Sequence, residues 1–190
     1  MPQNTTAFSE VSKQYLCRYY AIFDEMIEQM LSAKTTDSIS QHFIMRMIPH
    51  HNAAVLMSEN LLQYTTCLPL QRIAQEIVQT QTEGIRQMQQ MLPACSEKTN
   101  APCDLCLYTR AYQAVFDAMV RQMQSAPAGN NLDKSFILEM IPHHLGAVRM
   151  SENALRFPVC PALHPLLHTI ITTQRQGILE MQRLLQTLCR

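Results

Sequence analysis

Met47-Ile48-Pro49-His50-His51-Asn52-Ala53-Ala54-Val55-Leu56-Met57-Ser58-Glu59-Asn60 recurs 93 positions later as Met140-Ile141-Pro142-His143-His144-Leu145-Gly146-Ala147-Val148-Arg149-Met150-Ser151-Glu152-Asn153. Across the wider window from Phe43 to Leu62, 14 of 20 positions are identical to their partners. Building one fold twice requires apolar residues at core positions and no particular polar pair. This chain keeps a proline, two adjacent histidines and two thioether sulfurs in register. That combination points to a soft-metal site made twice.

The repeat extends outward without gaps. Ala21-Ile22-Phe23-Asp24, Met26 and Met30 match Ala114-Val115-Phe116-Asp117, Met119 and Met123. Cys67 matches Cys160, and Gln81, Gly84, Ile85 and Met88 match Gln174, Gly177, Ile178 and Met181. The organisation is therefore two tandem units, 1–95 and 96–190, expected to pack as one pseudo-twofold domain. Helical apolar spacing predicts three helices per unit. The first unit has them at about 9–32, 38–64 and 69–92, with Asp37 or Ser38 as the cap of the second helix and Pro69 opening the third. Residues 93–102 read as the linker, and the second unit as helices at about 103–125, 132–157 and 162–188. The expected fold is an all-α bundle of six helices. Pro49 and Pro142 predict a bend or a fresh helix start just before the histidines, because an interior proline costs about 3 kcal/mol.

Composition narrows the functions. At 190 residues the chain can bury a substantial core, and 47% apolar residues is ordinary for a globular protein. A formal charge of zero and the lack of a long basic run argue against nucleic acid as a partner. No apolar run approaches the roughly 18 residues that insertion into a membrane requires. Met1 to Tyr20 lacks the pattern of a secretory signal, so the chain as given reads as cytoplasmic, or as exported if a signal has been removed. Whether it forms a homo-oligomer is left open.

At about 100° per residue, Met47, His50 and Met57 share one helix face while His51 flanks it. Ala54, repeated as Ala147, leaves space between them. Met47 and Met57 lie about 15 Å apart along an ideal helix, so one ion would need donors from other helices. Met26, Met30 and Met88 are candidates, Met88 sharing a face with Gln81 and Gly84. Ten of the 13 methionines form five repeat pairs. Leucine would be the usual filler at such positions, so retention of sulfur suggests ligation. Thioether and imidazole together suit Cu(I) better than Mg²⁺, Ca²⁺ or Mn²⁺. The candidate metal ligands are His50, His51, Met47, Met57 and Met88 in the first unit. Their partners in the second are His143, His144, Met140, Met150 and Met181. His50 and His143 are the favoured direct ligands, with Glu59 and Glu152 as candidates to orient an imidazole.

Among the seven cysteines, Cys103 and Cys106 open the fourth helix and offer a zinc or Cu(I) site, with Cys95 as a third thiolate. A disulfide or inert thiols fit equally well. His164 and His168 read as surface residues or an accessory site.

Met47-x-x-His50-His51-x-x-Ala54-x-x-Met57, followed by Gln81 and Met88, resembles the bacterial ferritin-like family of unknown function known for its His-His motif. That family includes periplasmic copper-binding proteins. The resemblance covers most of both units and implies a ferritin-like bundle, with metal roles at Met47, His50, His51 and Met57 and at Met140, His143, His144 and Met150.

The expected function is metal sequestration or delivery by a non-enzymatic copper-binding protein. Two alternatives stand beside it. One is a metal-free helical interaction module; the other is a ferritin-like redox enzyme, for which the usual Glu-x-x-His pairs are missing.

Overall fold

The computed structural model describes residues 7–34 and 36–188, so Met1 to Thr6, part of the leader reading, and Cys189 lie outside it. The described residues form six helices and no strand: α1 (Glu10–Ser32), α2 (Ile39–Leu62), α3 (Leu68–Ser96), α4 (Pro102–Gln124), α5 (Leu132–Ala154) and α6 (Leu163–Leu188). The all-α bundle expected from the apolar spacing is what the chain forms.

Local chemistry sets the starts. Ser9, Ser38 and Asn131 each accept a hydrogen bond from the backbone N–H three residues on, satisfying a donor that the helix leaves orphaned. Helices α3 and α4 have no such cap and begin instead with proline in their first turn. Neither Pro49 nor Pro142 restarts a helix: α2 and α5 run continuously through them. Each ring removes one helical hydrogen bond, but both prolines are buried in helices with apolar contacts nearly all round. Packing holds the helix where propensity alone would break it. Helix α3 also runs through a proline, the exposed Pro93, and continues to Ser96, four residues past the expected end at Leu92.

Helices α2 and α5 form the central pair. Helices α1 and α3 flank α2, helices α4 and α6 flank α5, and α3 meets α6 along a second seam. Equivalent residues hold the two halves alike. Asn60 Nδ2 donates to the Tyr15 carbonyl and Asn153 Nδ2 to the Tyr108 carbonyl, each at 3.1 Å. These bonds tie α1 to α2 and α4 to α5, and they account for the repeated asparagine at the end of the motif. A local difference appears at Gly146, which replaces Ala53: a Cβ there would collide with Met119 Sδ.

One end of the bundle breaks the symmetry. Cys95, at the end of α3, is bonded to Cys160, in the loop before α6. Around this link Ser38 Oγ donates to the Cys95 carbonyl (3.1 Å) and the Cys160 N–H donates to Ser40 Oγ (2.8 Å). Asn100 adds bonds to Ile39 and Pro158. The three-thiolate site expected from Cys95, Cys103 and Cys106 is corrected accordingly. Cys95 is consumed by the disulfide, whereas Cys103 and Cys106 are free, exposed thiols.

Candidate metal centre

The His-His pairs meet where α2 crosses α5. The rings of His50 and His143 stack at 3.7 Å between centroids, tilted by 30°. His143 Nε2 is 3.1 Å from the His50 carbonyl oxygen, an arrangement that uses one of the four imidazole nitrogens of this pair. His51 and His144 point away from that stack, each about 6 Å from its neighbouring ring. All four histidines are at most 2% exposed.

Burial keeps these rings neutral. Removal from water pulls His51 down to about 3, helped by the neighbouring His143. Burial draws His143 down to about 4, opposed by its bond to His50. His50 and His144 lie well below the ordinary histidine value, again through burial first and mutual repulsion second. Neutral imidazole is the form that ligates metal.

What stands out is how few bonds these neutral rings make. Thirteen buried side-chain N and O atoms among the described residues lack a hydrogen-bond partner. Ten belong to the motif and its register partners: both nitrogens of His50, Nδ1 of His51, His143 and His144, Oγ of Ser58 and Ser151, Oε1 of Gln81 and Gln174, and Oδ1 of Asn153. Native interiors satisfy nearly all such groups with protein, water or an ion. The set is concentrated on the histidines and their register partners, and it leaves several buried donors and acceptors free.

There is also a route to it. Between α3 and α6 a cleft of about 650 Å³ is floored by His51, Gln81, Gly84 and Gln174. A cavity of about 30 Å³, large enough for a water or an ion, lies against His144, Gly177, Gln81 and Gln174. Gly84 and Gly177 explain themselves here. A Cβ on Gly84 would stand 3.0 Å from His51 Cδ2, and one on Gly177 would stand 3.2 Å from His144 Cδ2. The missing side chains let each imidazole edge lie against a helix surface. His51 and His144 are thus the histidines beside the cleft and cavity, while His50 and His143 occupy the interior.

Met47, Met57, Met88 and their partners Met140, Met150 and Met181 are all at most 1% exposed and belong to the same continuous core. The face that carries Gln81, Gly84 and Met88 is the buried face of α3. Other expectations are corrected. Glu152 pairs with Arg175 at the surface and Glu59 is exposed, so neither carboxylate orients an imidazole. His164 and His168 are exposed, in keeping with their reading as surface residues. No group of three or more His, Cys, Asp and Glu side chains among the described residues converges as a ready-made metal site. A centre here therefore needs the sulfur or amide donors. Gln81, Gln174, Ser58 and Ser151 are additions to the predicted set; their signal in the sequence was their exact repetition in register with the histidines.

A family model described as a domain of unknown function (DUF305) matches residues 22–92 and 40–185. Among solved structures, a DUF305 fragment from Deinococcus radiodurans is similar, with 25% identity and a TM-score of 0.57. That match covers 81% of this chain and 99% of the fragment. Comparison with curated proteins gave no match.

Proposed function

The chain belongs to the DUF305 family, and from the centre it builds we propose that it binds a soft transition metal, copper as Cu(I), for sequestration or delivery. The carrying observation is the set of five orphaned nitrogens on four buried, neutral histidines, in a core that also contains six buried thioethers. Thioethers and neutral imidazoles match a soft monovalent ion, and little in the centre matches a hard one. Glu139 is the one buried carboxylate among the described residues. A carboxylate-rich di-iron site, which needs about four, therefore has no support. The ion is cargo in this reading, and the chain's own part is to desolvate it and supply donors. The Cys95–Cys160 disulfide favours an oxidising compartment over the cytosol.

The test is an anaerobic Cu(I) titration against a competing chelator. We expect saturable binding that weakens at least tenfold in His51→Ala/His144→Ala, and also in His50→Ala/His143→Ala. Binding that survives removal of all four rings would reject the centre.

A metal-free module is the competing reading. The close His50–His143 stack favours it, because two neutral rings in van der Waals contact already pack as core. It requires that Cu(I) leave the melting temperature unchanged.

A further inference from the structure

A second polar feature lies away from the histidines and is not duplicated. Between α4 and the first half of α2 runs a groove of about 830 Å³, lined by His42, Arg46, Cys106, Arg110, Gln113 and Asp117 among others. Arg46 is 9% exposed. Its Nη2 donates to the Ala33 carbonyl at 2.8 Å, and its guanidinium lies 5.8 Å from the centre of the Tyr112 ring. Its Nη1 has no partner. Neither Arg46 nor Arg110 takes part in any ion pair among the described residues. A buried cation with an unused donor is costly unless an anion completes it.

Along α4 the groove carries its chemistry in order. The exposed thiol of Cys106 comes first, and Arg110 stands one helical turn further on. Asp117 closes the far end, its carboxylate accepting from Gln113 Nε2 at 2.8 Å. From Cys106 to Asp117 is about 16 Å along the helix. A disulfide that carries carboxylate and ammonium groups on either side of its sulfur would meet a thiol, a cation and an anion along this span.

We propose that this groove binds a small zwitterionic disulfide of the glutathione type, and that Cys106 captures it by thiol–disulfide exchange. The Cys106 thiolate attacks one sulfur of the ligand, forming a mixed disulfide. The ligand's S–S bond breaks and its other half leaves as a thiolate, which takes up a proton from water. Cys103, also exposed, lies one turn before Cys106, with Cα atoms about 5 Å apart in an ideal helix, within disulfide reach. Its thiolate then displaces the captured half, closing a Cys103–Cys106 disulfide. In the balance two protein thiols are oxidised and one small disulfide is reduced to two thiols.

The chain contains its own control. The position equivalent to Arg110 is Cys17, an exposed free thiol on α1, and the position equivalent to Arg46 is Glu139. Cys17 therefore lacks the groove's two arginines.

The experiment uses the full chain carrying Cys103→Ser, so that the mixed disulfide accumulates, with peptide mass spectrometry reading each cysteine. Oxidised glutathione should label Cys106 about fivefold faster than Cys17, an advantage of the size expected from one nearby unpaired charge. Cystamine, the cationic disulfide, should not show that preference. Arg110→Gln, at an exposed position that folding does not depend on, should lower the Cys106 rate with glutathione and leave Cys17 unchanged. With Cys103 restored, the product should shift from mixed disulfide to the Cys103–Cys106 bond. Equal rates for the two disulfides at Cys106, faster labelling of Cys17, or indifference to Arg110→Gln would each overturn the proposal.

Discussion

At equivalent places on the central helices, one repeat buries a base and the other an acid. On α2, Arg46 lies over Tyr112, and His42 shares a 3.1 Å hydrogen bond with Tyr108. On α5 the same two positions are Glu139 and Ser135, and Glu139 accepts a 3.1 Å bond from Tyr15. The tyrosines correspond across the repeat (Tyr15 with Tyr108, Tyr19 with Tyr112), yet what faces them has been exchanged. Four residues past Arg46 and Glu139 the His-His pairs begin, and these and their glycine cradles agree. The flanks have been free to change sign while the centre has not. A purely structural duplicate would place no such special constraint on the histidines.

The largest expected break in this comparison comes from the end that carries the disulfide. The Cys95–Cys160 bond closes a loop of 65 residues that joins the two repeats, and the opposite end has no such bond among the described residues. Chain-entropy arithmetic for that loop gives about 4 kcal/mol of stabilisation through the unfolded state. Cys95→Ser should lower the urea midpoint by a corresponding amount. Cys67→Ser, at the position equivalent to Cys160 but free and half-buried, should change stability by only about 0.5 kcal/mol. Similar losses in both variants would show that the link contributes nothing beyond packing.

The exchanged charges give the second test, made in metal-free protein. Burial raises Glu139 to about 8, only partly offset by the bond from Tyr15. A raised folded value means that the acid's contribution is complete below its unfolded value of about 4.5 and is lost as pH rises toward 8. Glu139→Gln should remove that slope and leave the protein on the order of 1–3 kcal/mol more stable than the parent at pH 9. The buried histidines act with the opposite sign. His42, His51 and His143 have folded values of about 3 to 4, so their contribution is full above about 6.5 and lost as pH falls. Arg46→Met should shift thermal midpoints equally at pH 6 and pH 9. Melting curves at the two pH values separate the flanks; a parallel shift for Glu139→Gln would mean that the acid stays charged in the folded protein.

Much of this was readable in the sequence, and the failures have physical causes. The six helices followed from apolar spacing, and the buried face of α3 from Gln81, Gly84 and Met88 recurring together. Whether α2 and α5 would restart at Pro49 and Pro142 was not readable, because burial of those two rings in the packed core outweighs a local penalty that spacing cannot weigh. The Cys95–Cys160 bond escaped for a different reason. Its partners are not repeat mates, so the pattern that organised everything else pointed away from it. The helical wheel grouped His50 with Met47 and Met57. It could not show that the contact between α2 and α5 would stack His50 on His143 and leave His51 and His144 beside the cleft and its adjoining cavity. Intrahelical geometry says which residues share a face; only the partner helix decides what that face meets.

The smallest expected stability effect probes the feature in which the repeats agree best. Replacing Gly84 or Gly177 with alanine should raise helix propensity by about 0.5–1 kcal/mol. The new methyl group would press on His51 or His144 at 3.0 and 3.2 Å, so each ring must yield by a few tenths of an ångström. The two terms oppose each other, and the net change in melting temperature should be close to zero in both variants. Metal affinity has no such compensation, because a displaced imidazole loses its aim. Gly84→Ala and Gly177→Ala should therefore each weaken Cu(I) binding several-fold at nearly constant stability, with Gly84→Ala having the larger effect because its contact is closer. If the two differ strongly, one repeat supplies most of the site; if they match and the double variant multiplies the loss, the ion is shared. A fall in stability with unchanged affinity would assign the glycines to packing alone.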